Sequence, residues 1–155
     1  MTTAVRFAYA DTAPSRTDGS RLAYLPITLS HGTQVLVVAG LLDTGSTVNV
    51  LPYPLGLQLG FVWEQQPTQV HLTGSLARLP ARGVIVSGQV ASFPPVALVF
   101  AWTQVTDVPI ILGQVNFFME FDVCFFRSQA AFEVNPKGKA LSSLSDLPSS
   151  DSLSD

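Results

Sequence analysis

Cysteine and charge are both scarce in this chain. A single cysteine, Cys124, in 155 residues excludes an internal disulfide and a cysteine-rich zinc site. Charged residues make up 12%, about half the usual share, which argues against a disordered polyelectrolyte. Eight Lys and Arg stand against eleven Asp and Glu, for a formal charge of −3. Three of those acids (Asp146, Asp151, Asp155) fall in the last fifteen residues, so the body is near neutral. No basic patch for nucleic acid is visible. The two histidines, His31 and His71, lie forty positions apart and lack the neighbours a metal or Ser–His site needs. No metal and no cofactor is therefore expected. Long apolar runs are missing too, although the mean hydropathy is +0.36. The most apolar stretches, 35–42 and 96–102, are of strand length, whereas a spanning helix needs roughly twenty apolar residues. Ala8-Tyr9-Ala10 before Asp11 faintly resembles a signal cleavage site, but the apolar run ahead of it is too short. A cytoplasmic protein with no membrane partner is the expectation.

Apolar residues, in contrast, reach 47%, and a chain of this length is enough for one domain with a core of its own. Their spacing favours strands. Residues 4–10 alternate, with Val5, Phe7 and Tyr9 on one face. Residues 22–29 and 35–42 flank the turn signal Ser30-His31-Gly32-Thr33 and predict a hairpin. Pro26 suits a sheet edge. Residues 35–39, apolar on both faces, predict a strand inside a core. Further strands are expected at 47–51, 84–86, 96–102, 108–112, 123–126 and 131–134, with hairpin arms 69–72 and 76–80 around Thr73-Gly74-Ser75. Residues 114–121 are the best short helix. Cys124 alternates like a core thiol, Trp63 and Trp102 suit a core or an interface, and Lys137-Gly138-Lys139 reads as a solvated turn. Many short strands and little helix predict an all-β barrel or sandwich. Residues 1–20 form an N-terminal strand and loop, 21–136 the domain, and 137–155 a Ser/Asp-rich tail expected to be disordered.

The informative segment is Leu41-Leu42-Asp43-Thr44-Gly45-Ser46. An apolar strand there delivers a lone carboxylate, which is costly to bury without donors or a function. Gly45 permits a sharp turn that brings N–H groups to it. Alone, this pattern also describes a turn at a strand end. Seventy positions after Asp43, the apolar strand Pro109-Ile110-Ile111-Leu112 ends in Gly113. The ordered pair resembles the retropepsin-like aspartic proteases, in which the second motif packs beside the Asp loop. Thr73-Gly74-Ser75 falls where that family has its flap. Residues 112–121 resemble its passage from strand to C-terminal helix, and 125–134 its closing hairpin. The likeness covers about residues 22–134.

The resemblance implies a retropepsin-like acid protease barrel, one lobe per chain, with a short C-terminal helix. It also implies an aspartic endopeptidase that is active as a homodimer on an extended peptide or protein substrate. The chemistry requires two carboxylates sharing a proton, one as base on a water and the other as acid. The chain has one Asp-Thr-Gly. The decoy Thr17-Asp18-Gly19-Ser20 has the order wrong, and neither Asp107 nor Asp122 is followed by the required Gly. The second Asp43 must then come from a second copy. By position in the family, Thr44 would lock the two loops across the axis and Gly45 would shape the loop and touch substrate backbone. Ser46 would donate to the carboxylates and so favour activity at acidic pH. Leu72, Thr73, Gly74 and Ser75 would form the flap, Val48, Val50, Val108, Pro109 and Ile111 the apolar subsites, and Leu112 and Gly113 the second motif. His71, beside the flap, is placed to touch substrate or to stand in solvent. Many viral members carry an acid and an Arg where this chain has Thr47 and Gln114, so their interface ion pair is absent and a weak dimer is expected. The N-terminal strand 4–10 is one candidate for the dimer contact. A silent dimerisation or peptide-binding module of the same fold is the alternative. An unrelated β domain assembling through apolar surface would instead leave Asp43 exposed.

Overall fold

The computed structural model describes residues 4–11, 21–72 and 74–138. The Thr17–Ser20 decoy, the flap residue Thr73 and the tail beyond Gly138 lie outside the described residues. The described residues form twelve strands and two short α-helices: β1 (Val5–Ala8), β2 (Ala10–Asp11), β3 (Arg21–Leu22), β4 (Tyr24–His31), β5 (Gln34–Leu42), β6 (Asn49–Leu51), α1 (Tyr53–Gln58), β7 (Gln69–Val70), β8 (Ala81–Gln89), β9 (Val96–Thr103), β10 (Ile110–Leu112), α2 (Phe117–Glu120), β11 (Phe121–Phe126) and β12 (Ala131–Pro136). No helix among the described residues is long and apolar enough to cross a membrane.

Six strands close into a barrel in the order β4-β5-β10-β6-β9-β8, and β7 adds to the outer edge of β8. Closure comes from Thr28, Leu29 and Ser30 of β4 pairing with Gln89, Gly88 and Ser87 of β8. Gly88 is needed there, because a Cβ would stand 2.5 Å from Leu98 Cδ1. Pro26 pairs with Ala39 of β5 but lies beyond the reach of β8, so its missing N–H disturbs no ladder. The β4–β5 hairpin turns where the sequence predicts it, with His31 opposite Gln34 and Gly32 at φ +58°. A three-stranded sheet, β1-β12-β11, lies against the barrel; Val5, Phe7 and Tyr9 turn one face to the core as the alternation requires.

Leu25, Ile27, Leu29, Leu98, Phe100, Trp102, Leu112, Phe117 and Phe132 fill the main core at 0–2% exposure. Opposite-facing residues of the same strands form a second, smaller cluster of Val50, Leu72, Ala81 and Ala101, flanked by Val48, Val70, Leu76 and Ile111. Odd and even residues of β6, β9 and β10 therefore feed two separate apolar clusters. A run that is apolar on both faces is what such a strand needs.

Several expectations are corrected. β5 is not buried on both faces: Val35 and Val37 are 61% and 79% exposed, because no described element covers that outer side of the barrel. Cys124 is exposed rather than a core thiol, since Phe121 and Val123 take the inward phase and Cys124 lies opposite Glu133. Residues 76–80 form turns, not a strand, and the chain extends only after Pro80, at Ala81. The stretch after Pro52 is helical. Pro residues fit its first turn, and Gly56 lets it sit on Trp102, whose indole Nε1 would be 2.1 Å from any Cβ. The expected helix over 114–121 shrinks to Phe117–Glu120. Val115 pairs instead with Val48 in a parallel bridge and gives its carbonyl to the Asn49 N–H, which keeps the segment extended. The tryptophans behave as expected: Trp102 is buried and Trp63 packs edge-on against it at 5.2 Å. Lys137 is exposed and pairs with Glu120 at 3.0 Å.

Candidate active site

β5 and β10 run parallel with Leu42 beside Leu112, so the two apolar strands that carry the motifs end side by side. The Asp43 N–H donates to the Leu112 carbonyl at 3.0 Å, and the chain then turns, with the Gly45 N–H donating to Asp43 Oδ1 at 3.0 Å. The returning loop is laced to the second motif. Gln114 N–H donates to Ser46 O and Val115 N–H to Thr47 O, both at 2.9 Å, and Asn49 N–H donates to Val115 O at 3.1 Å. Gly113 sits where a Cβ would come within 2.4 Å of Val48 O. Only glycine allows this approach, which explains why an apolar strand followed by Gly is the partner an Asp loop requires.

A buried amide network lies beneath the loop. Asn49, fully buried, accepts from Gly113 N–H at 2.8 Å and donates to Val99 O at 2.9 Å and Asn116 Oδ1 at 3.2 Å. Asn116 in turn accepts from Val99 N–H and donates to Ala97 O. Each of these partners is backbone or amide, so the network ties β9 to both motifs with no charge. Sequence reasoning missed these residues; the available signal was one Asn between Val48 and Val50 in an otherwise apolar strand.

Asp43 is half-buried and borders a cavity of about 190 Å³ that is also lined by Gly45, Val48, Val50, Leu72, Gly74 and Ile111. Some of the expected loop, flap and subsite residues thus line one cavity with Asp43, the only acid on that lining among the described residues. Leu76 joins them and was not anticipated. Val108, half-buried, and Pro109, exposed, do not line this cavity. Ser46 is also corrected: its Oγ donates to Val48 O at 2.7 Å instead of to a carboxylate, which closes the loop on itself. Thr44 is exposed, and its carbonyl accepts from Gln114 Nε2 at 2.8 Å, so Gln114 steadies the loop with a neutral hydrogen bond. On the far side of Asp43 a second groove runs past Leu41, Thr44, Phe125 and Arg127. His31 is no ligand: it stacks on Phe61 at 4.1 Å and meets Leu59 O through Nδ1. No metal-holding cluster is found among the described residues.

No protein-family model matches the chain, and no curated protein matches it. Among solved structures it is similar to a retropepsin-like aspartic protease from Rickettsia conorii, with a TM-score of 0.53 and 14% identity over 86% of this chain and 93% of that one. A closed six-stranded barrel with few helices, carrying an Asp-Thr-Gly loop on a parallel strand pair, is a retropepsin-like fold.

Proposed function

We propose that the protein is an aspartic endopeptidase whose active site is completed by a second copy of the chain. The observation that carries this reading is the position of Asp43 on a cavity it shares with Leu72 and Gly74, with its loop held by the second motif. Peptide hydrolysis by carboxylates needs a pair close enough to share one proton, so that one activates water and the other protonates the leaving nitrogen. One chain supplies one such carboxylate, and a two-fold axis beside Asp43 supplies the other. The exposed Thr44 and the adjoining apolar groove with Phe125, 40% exposed, suit the seat of that second copy. Val48, Val50 and Ile111 then take apolar side chains next to the scissile bond.

The test is cleavage of apolar peptides across a range of pH by wild type and by Asp43→Asn. Asn keeps the shape of the loop but accepts no proton, so hydrolysis should fall below detection while the melting temperature holds. Cleavage by the mutant at the wild-type rate would overturn the assignment. Statine-type inhibitors, whose hydroxyl mimics the tetrahedral intermediate between two carboxylates, should compete with substrate.

A further inference from the structure

A third groove, of about 280 Å³, opens between the base of the flap and β8. Its lining includes three groups able to carry positive charge, His71, Arg78 and Arg82, and no carboxylate. In a chain with so few charges this grouping stands out. Arg82 is held in place: its Nη1 donates to Gln66 O at 3.1 Å and its guanidinium lies over Trp63, 5.5 Å from the ring centroid. The β7–β8 ladder, with Gln69 opposite Arg82 and Val70 opposite Ala81, sets the floor. Arg78 is exposed and takes part in no ion pair among the described residues. Five donors in a fixed fork, left without an acceptor beside a second guanidinium, form a receptor for a carboxylate.

The groove and the Asp43 cavity lie on two sides of one apolar cluster. Val70 and Ala81 line the groove, Leu72, Val50 and Ile111 line the cavity, and all five belong to one apolar cluster. Val70 and Leu72 are two residues apart, which spans no more than about 7 Å of chain. A peptide extended from the Asp43 cavity across Leu72 and Val70 would bring a residue two or three positions from the bond to be cut to the groove.

We propose that Arg78 and Arg82, with His71 at the rim, form a distal subsite that selects substrates carrying an acidic residue about two or three positions from an apolar scissile pair. This rests on the peptidase reading, and the test separates the two. Binding is measured by fluorescence anisotropy at low ionic strength on full-length Asp43→Asn, which should leave peptides uncut. The probes are labelled apolar octapeptides with Glu, or Gln, two and three residues to either side of a Leu–Phe pair. The Glu peptide should bind about tenfold tighter than its Gln twin, as charge-assisted hydrogen bonds do relative to neutral ones. Most of that gap should vanish in Arg78→Gln, persist in Arg78→Lys and shrink in about 0.5 M salt. Equal binding of the two peptides, or a Glu advantage untouched by Arg78→Gln, overturns the subsite. Wild-type protein is then given both peptides. Cleavage with no preference for Glu overturns the subsite and leaves the peptidase standing. Glu-dependent binding with no cleavage supports the subsite and overturns the peptidase.

Discussion

Asn49 and Gly113 show how much of the candidate site depends on single atoms. Gly113 brings the second motif against Val48 O at a distance no side chain permits, and Asn49 accepts the Gly113 N–H that this approach leaves in the interior. Asn49→Ala strands that N–H and the Val99 carbonyl. Each buried group left unpaired costs about 1–3 kcal/mol. Urea unfolding should therefore show a loss of about 3 kcal/mol; a loss under about 1 kcal/mol would show that water substitutes freely for the amide. Gly56→Ala is the steric counterpart, because its methyl would enter the Trp102 indole. Overpacking of this kind costs about 1–3 kcal/mol, and the Trp102 fluorescence should change with it. Neither residue lines the Asp43 cavity, so both changes act through packing and hydrogen bonding in the interior.

Among the elements, β5 is where pattern and outcome part. Its residues are apolar on both faces, yet Val35 and Val37 stand in solvent while Leu36 and Val38 pack inward. A strand in a barrel has one inside, and a run of valines reports β propensity as well as burial. Val37→Thr should accordingly shift stability by less than about 0.5 kcal/mol in urea unfolding, as exposed substitutions do. A cost near 2 kcal/mol would mean that this face is covered, for example by a second copy. The stretch 69–81, where a flap is expected, is the opposite case. Its glycine turn is legible, but the strand pairing beneath it is only Gln69–Arg82 and Val70–Ala81, because Pro80 delays the return strand.

For the whole molecule, the decisive quantity is the association of two copies. If two Asp43 residues form the site, specific activity falls on dilution below the dissociation constant. Thr47 carries no charge and Gln114 makes a neutral hydrogen bond to Thr44 O, so with no ion pair between these positions dissociation is expected in the micromolar range, about −8 kcal/mol. Excess Asp43→Asn, mixed in under conditions of subunit exchange, should poison the wild type, since a mixed dimer holds one base. A linear, unpoisoned titration would exclude a shared site even for an active protease.

Local chemistry let the sequence determine the strand-rich class, the β4–β5 hairpin, the Asp-Thr-Gly loop and its apolar-Gly partner. Turns, alternation and a glycine forced by close approach are written within a few neighbouring residues. Long-range contacts decided the rest. Val115 stays extended because it bridges to Val48 and its carbonyl is taken by the Asn49 N–H, so the predicted helix is cut to one turn. Ser46 bonds Val48 O because the loop folds back on itself. Val108 and Pro109 miss the cavity, while Leu76 enters it. Asn49 meets Asn116 across 67 positions, and Arg78 and Arg82 line one groove beside β7 and β8. A one-dimensional pattern records which face a residue prefers; which partner waits on that face is settled only when the barrel closes.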